Sequence, residues 1–140
     1  MPAAEAAVSA VLDASALLAY LREEPGADVV GEALDQGAAI SSANWAEVLS
    51  KVAEIGQDPA ALAAELRSIG LLGNSLMIEP LSEEDCITIA VLRPQTRTLG
   101  FSLGDRACLA LGRRLQARIL TTDRAWMQLD DAMQVEMIRP

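Results

Sequence analysis

No histidine occurs anywhere in the 140 residues. Its absence removes the commonest general base, the Ser-His-Asp triad and any histidine-ligated zinc or copper site. Cysteine is almost as scarce. Cys86 and Cys108 both fall inside helical patterns and outside any CxxC spacing, so they read as reduced core residues of a cytosolic protein. Aromatic residues make up 3%, which leaves Ala, Leu, Val and Ile to fill the core and favours helices packed on a sheet over an aromatic-rich barrel. No apolar run approaches the ~18 residues of a membrane span, and the start, Met1 to Ala10, carries Glu5 and no basic residue, unlike a secretory leader. A soluble, cytoplasmic protein is expected. Any catalysis must use Asp, Glu, Ser, Thr, Lys, Arg or Tyr, and oxygen-donor sites suit Mg²⁺ and Mn²⁺.

What is present is apolar and acidic. Hydrophobic residues reach 51% and charged residues 22%, a globular composition, and the length suits one domain over residues 1–140. The net charge of −9 argues at first against nucleic acid, since phosphate binding wants a basic field. Its distribution softens the objection. From Arg93 to Arg124 seven arginines face only Asp105 and Asp123, a local balance of +5, against −14 elsewhere. The arginines form either a solvated helix face or a phosphate-facing one, and the acidity elsewhere suits a basic protein partner.

Hydrophobic periodicity predicts alternating elements. Val8–Leu12 reads as a buried strand closed by Asp13, followed by a helix over Ser15–Arg22 and another from Pro25 to Gly37. Ala38–Ser41 is a second strand. Asn44 can cap the next helix, with Glu47 three residues on in a capping-box arrangement. Asp58-Pro59 starts a helix reaching Leu72, Leu76–Glu79 is a third strand, and Ser82 begins a helix to about Leu92. Pro94–Gly104 reads as a loop, Asp105–Arg114 as a helix and Ala117–Thr121 as a fourth strand closed by Asp123. A short helix with Trp126 and a last strand, Val135–Ile138, complete the chain. The alternation implies an α/β fold: a three-layer α/β/α domain with a central, mainly parallel sheet of about five strands.

In such sheets sites form beyond the carboxyl ends of the strands. Asp13 and Asp123 follow strands directly, Glu47 lies one turn into the helix after the second strand, and Asp105 starts the helix before the fourth. All four acids can meet at one edge. Each also has a plain structural reading: Asp13 and Asp123 as helix caps, Asp105 as a first-turn acid, Glu47 as half of a capping box. Four carboxylates gathered within a few Å repel and shift one another's pKa unless a cation sits between them, so a shared divalent metal is the physical remedy.

Val11-Leu-Asp-Ala-Ser-Ala-Leu17, Ser42-Ala-Asn-Trp-Ala-Glu-Val48, Leu103-Gly-Asp-Arg-Ala-Cys-Leu-Ala-Leu111 and Ile119-Leu-Thr-Thr-Asp-Arg-Ala-Trp126 resemble, in order and spacing, the four motifs of PIN domains, and the last two look especially like the VapC toxins of VapBC toxin–antitoxin pairs. The resemblance implies an endoribonuclease in which Asp13, Glu47, Asp105 and Asp123 hold Mg²⁺ or Mn²⁺ and activated water attacks the phosphodiester in line, leaving 5′-phosphate and 3′-hydroxyl ends. Ser15 and Thr122 match hydroxyls beside those acids, for contact with them or with phosphate; the duller readings are a helix cap and a strand-end residue. Arg106, Arg113 and Arg124 are the candidates for steering the RNA backbone. The resemblance further implies a cognate VapB-like antitoxin that inserts a cation among the acids, a groove on the first two helices drawing on Leu17, Leu18, Leu21 and Val29, and a homodimer.

Rival readings fare less well. A phospho-receiver needs a lysine after the last strand but one, whereas the single lysine, Lys51, sits in a helix. A haloacid-dehalogenase-like phosphatase needs DxD, and Asp13-Ala-Ser15 lacks the second acid. An adhesion-type DxSxS site has Leu17 in its last position. A PIN fold without activity, or a housekeeping nuclease that is not a toxin, stays open as the alternative.

Overall fold

The computed structural model describes residues 8–140; of the start read as non-secretory, Met1 to Ala10, the first seven residues lie outside them. The elements run β1 (Ala10–Leu12), α1 (Ala14–Leu21), α2 (Ala27–Gln36), β2 (Ala38–Ser41), α3 (Ser42–Glu54), α4 (Pro59–Ser68), β3 (Leu76–Glu79), α5 (Glu83–Thr96), α6 (Leu103–Leu115), β4 (Arg118–Thr121) and β5 (Val135–Met137), with short 3₁₀ turns after α5 and between the last two strands. The five strands are all parallel, in the order β3-β2-β1-β4-β5. Chain order therefore reverses between β1 and β4, where Leu12 pairs with Leu120. Crevices open beyond the strand ends at such a reversal.

Strand alternation builds the three layers. Ala10, Leu12, Ala38, Ile40 and Leu120 point to one face and pack with α1, α2, α3 and α4; Val11, Ala39 and Ile119 point to the other and pack with α5, α6 and Trp126. Burial on both faces is why the strands read as nearly continuous apolar runs. Helix α6 is the most enclosed, with every residue from Arg106 to Gly112 buried. It lies so close to β4 that a Cβ on Gly112 would stand 2.5 Å from Ile119. No helix among the described residues is long and apolar enough to cross a membrane.

Two local expectations are corrected. The loop assigned from Pro94 is largely helical: α5 continues through Pro94 to Thr96. Leu92 and Thr96 are buried there, and Thr96 Oγ1 donates to Leu92 O at 2.7 Å, so packing holds the last turn against the proline's missing donor. Helix α3 begins at Ser42, two residues before Asn44. Its cap is Ser41, whose hydroxyl accepts from Ala43 N at 3.2 Å, and this frees the Asn44 side chain for another role.

Candidate active site

Asp13, Glu47, Asp105 and Asp123 line one cleft of about 210 Å³ beyond the ends of β1 and β4, together with Ser15, Leu18 and Lys51. Local structure explains why the three aspartates face it. Each caps a helix or 3₁₀ turn, which ties one side of its carboxylate to backbone and aims the rest outward. Asp13 Oδ1 accepts from Ala16 N at 2.8 Å, opening α1. Asp105 Oδ2 accepts from Ser102 N at 2.9 Å, while Ser102 Oγ accepts from Asp105 N at 3.0 Å, a capping box opening α6. Asp123 Oδ1 accepts from Ala125 N at 3.0 Å. The structural roles foreseen for these acids thus coexist with their convergence.

Glu47 caps nothing. Its Oε1 accepts from Asn44 Nδ2 at 2.8 Å, and the same amide donates to Gly104 O at 2.9 Å. Among the described residues Glu47 Oε2, Asp105 Oδ1 and Asp123 Oδ2 engage no hydrogen-bond donor, so one oxygen of each is available to a ligand.

Asp13 is the most deeply set, 5% exposed. Burial raises its pKa from 3.8 to about 6 against the pull of hydrogen bonds from Thr121, Ser15 and Ala16, and the charge of Asp105 adds to the rise. Cys108, beneath the cleft, has its thiol pushed well above 9.0 by burial and then by Asp13, Asp105 and Glu47 together. Three acids therefore project their field onto one buried point. Lys51 is the cation among the lining residues; its Nζ lies 3.7 Å from Glu54 with both side chains largely exposed.

The hydroxyl pair differs from expectation by one residue. Ser15 Oγ donates to Asp13 Oδ1 at 2.7 Å and accepts from Thr122 N at 3.0 Å. Thr122 enters through its backbone; the side chain in the site is Thr121, which donates to Asp13 Oδ2 at 2.5 Å and accepts from Asp123 N at 3.0 Å. Successive strand residues face opposite ways, and the β1–β4 register turns Thr121 toward Asp13. Its place as the last residue of β4, on the strand paired with β1, was the available signal.

The arginines divide. Arg106 is buried and donates to Ile89 O at 3.0 Å, so it braces α5 against α6 and is withdrawn from any substrate. Arg113 lies eight residues, about 12 Å of helix, beyond Asp105 and lines a separate cavity with Met133. Arg113 and Arg124 are both exposed, and of the three only Arg124 is exposed next to Asp123 in the chain. Arg114 and Arg118 are tied to Asp85 and Glu136, so much of the local positive balance is consumed internally.

Among the described residues no three His, Cys, Asp or Glu side chains stand in a closed coordination cluster. The donor set nevertheless fits a hard cation: oxygen ligands alone, one carboxylate raised by burial and a like charge, and a free oxygen on each of the other acids.

Fold and cleft define a class: a parallel three-layer α/β domain with an acidic, oxygen-donor site at its topological reversal. Residues 10–132 match the family model of the PIN domain, and the chain belongs to that family. Its fold is shared with a toxin–antitoxin complex from Klebsiella pneumoniae (TM-score 0.70, 19% identity, 93% of this chain and 98% of that one). It is shared equally with VapBC2 from Rickettsia felis bound to a promoter DNA fragment (TM-score 0.70, 16% identity, 91% and 97%). FitAcB from Neisseria gonorrhoeae is similar too (TM-score 0.64, 22% identity, 91% and 95%). No curated protein matches the sequence.

Proposed function

We propose that this chain is a Mg²⁺- or Mn²⁺-dependent endoribonuclease and the toxin of a toxin–antitoxin pair. The observation that carries the reading is the convergence of Asp13, Glu47, Asp105 and Asp123 on one cleft. A bound divalent cation would supply activation of water and neutralisation of the charge that builds on the phosphate. The chain's own residues do the rest. Ser15 and Thr121 hold the Asp13 carboxylate in one orientation, and the cap bonds do the same for Asp105 and Asp123. A carboxylate with a free oxygen, such as Glu47 or Asp123, takes the proton from the attacking water. Arg124 at the rim attracts the RNA backbone.

Partners follow from the surface. An apolar groove of about 460 Å³ runs between α1, α2 and α4, lined by Tyr20, Leu21, Leu66, Ile69 and Leu71 with Glu23 and Asp28 beside them. It suits an apolar segment flanked by basic residues, as an antitoxin tail would offer, and a cation on that tail would find the acidic cleft. Leu17, by contrast, is wholly core and Leu18 belongs to the cleft. Exposed Ile87 and Val91 on α5 suit a homodimer.

The test is cleavage of RNA by purified protein. Activity is expected with Mn²⁺ or Mg²⁺, abolished by EDTA, with 5′-phosphate products. Cleavage that persists in chelator overturns the metal mechanism, and harmless expression of an active enzyme in its host overturns the toxin assignment.

A further inference from the structure

Three of the four cleft acids are oriented by caps, and Glu47 is not. The bonds from Asn44 take the place of a cap. Asn44 is 1% exposed and three residues before Glu47, so both side chains lie on one face of α3. Its amide cannot be turned around, because both partners, the Glu47 carboxylate and the Gly104 carbonyl, are acceptors and only the NH₂ end can serve them. Asn44 Oδ1 is left buried without a partner, an arrangement that costs stability. The position behaves as one specified for its two donated bonds.

The far wall is equally specific. Gly104 immediately precedes Asp105, and a Cβ there would stand 2.5 Å from Glu47 Oε1 and 2.7 Å from Cδ. The backbone of α6 thus makes room for the Glu47 carboxylate while Asn44 ties that carboxylate to the same turn. We propose that Asn44 is a positioning residue, fixing Glu47 against the Gly104–Asp105 turn so that Glu47 and Asp105, on separate helices, present their free oxygens to one ligand, with Gly104 as the fitted wall.

The inference rests on the metal-cleft reading, and the experiment separates the two. Mn²⁺ affinity is measured by calorimetry on wild type, Asn44→Ala, Gly104→Ala, Glu47→Gln and the Asn44→Ala/Glu47→Gln double variant, with RNA kcat and KM alongside. Asn44→Ala is expected to weaken Mn²⁺ binding by about tenfold, as loss of a ligand's hydrogen-bonding partner does, and to lower kcat with KM for RNA little changed. Gly104→Ala should do the same from the opposite side, which keeps the test alive if Asn44→Ala folds poorly. In the Glu47→Gln background Asn44→Ala should change Mn²⁺ affinity less than about twofold. An equal loss in both backgrounds, or a raised KM at unchanged kcat, overturns the positioning role. Wild-type protein that binds no Mn²⁺ overturns the metal-cleft reading and this inference with it.

Discussion

Asp13 and Asp85 are both buried aspartates at helix starts, and their surroundings give them opposite characters. Asp85, 2% exposed, receives two bonds from Arg114, at 2.9 and 3.0 Å. Burial alone would raise its pKa, but the Arg114 hydrogen bonds, the Ser82 backbone bond and the guanidinium charge outweigh it and hold the carboxyl below 3.8. Asp13 has hydroxyls and one amide for company and a second acid nearby, and it rises to about 6. A buried acid given its own counter-charge joins two helices; one left without it keeps a raised pKa, and under the proposed function a cation from outside would supply the missing charge. The contrast separates the paired carboxylate from the unpaired one more sharply than burial does.

The largest effect should come from Asp13→Asn. The amide keeps the cap, accepting from Ala16 N and donating to Thr121 Oγ1, while the charge is lost. RNA cleavage in Mn²⁺ should fall by about 10³-fold or more with circular dichroism unchanged; retained activity would make Asp13 another Asp85. Next is the pH dependence of stability in EDTA. A carboxyl whose folded pKa lies above its unfolded one is best tolerated protonated. The folded state should therefore lose about 3 kcal/mol through Asp13 as pH rises from about 4 to 6. Urea melts of Asp13→Asn should lack that slope, leaving the variant the more stable at neutral pH.

Asp85 works in the opposite sense, its contribution present above the unfolded carboxyl pKa and lost as pH falls through its depressed folded value. Asp85→Ala should cost about 2 kcal/mol in denaturant melts, less than a fully buried pair because Arg114 is 25% exposed. The kcat of its folded fraction should not change. The smallest effect is expected at the rim: Lys51 and Glu54, 60% and 71% exposed, should yield under about 0.5 kcal/mol in a double-mutant cycle on stability.

Much of this was legible along the chain, because the signals are local. Apolar runs closed by Asp13 and Asp123 mark strand ends, and the alternation of strands with helices dictates a parallel sheet whose ends share an edge. The misreadings concern where helices begin and end and which way a side chain faces. Asn44 and Glu47 have the spacing of a capping box, and only the start of α3 at Ser42 shows that they lie inside the helix. Thr121 and Thr122 are chemically alike, and the β1–β4 register chose between them. Arg106 sits beside Asp105 in sequence but on the buried side of α6, and α5 ran through Pro94 because Leu92 and Thr96 had a core to fill.

The amino-acid order by itself determined the three-layer architecture and the placing of Asp13, Asp105 and Asp123 at strand ends and helix starts, since periodicity and capping act over a few residues. Tertiary packing alone decided which acid found an arginine and which did not, and what braces Glu47. Those outcomes depend on contacts such as Asp85–Arg114 and Asn44–Gly104, which join residues far apart in the chain and exist only once α3, α5 and α6 are packed together.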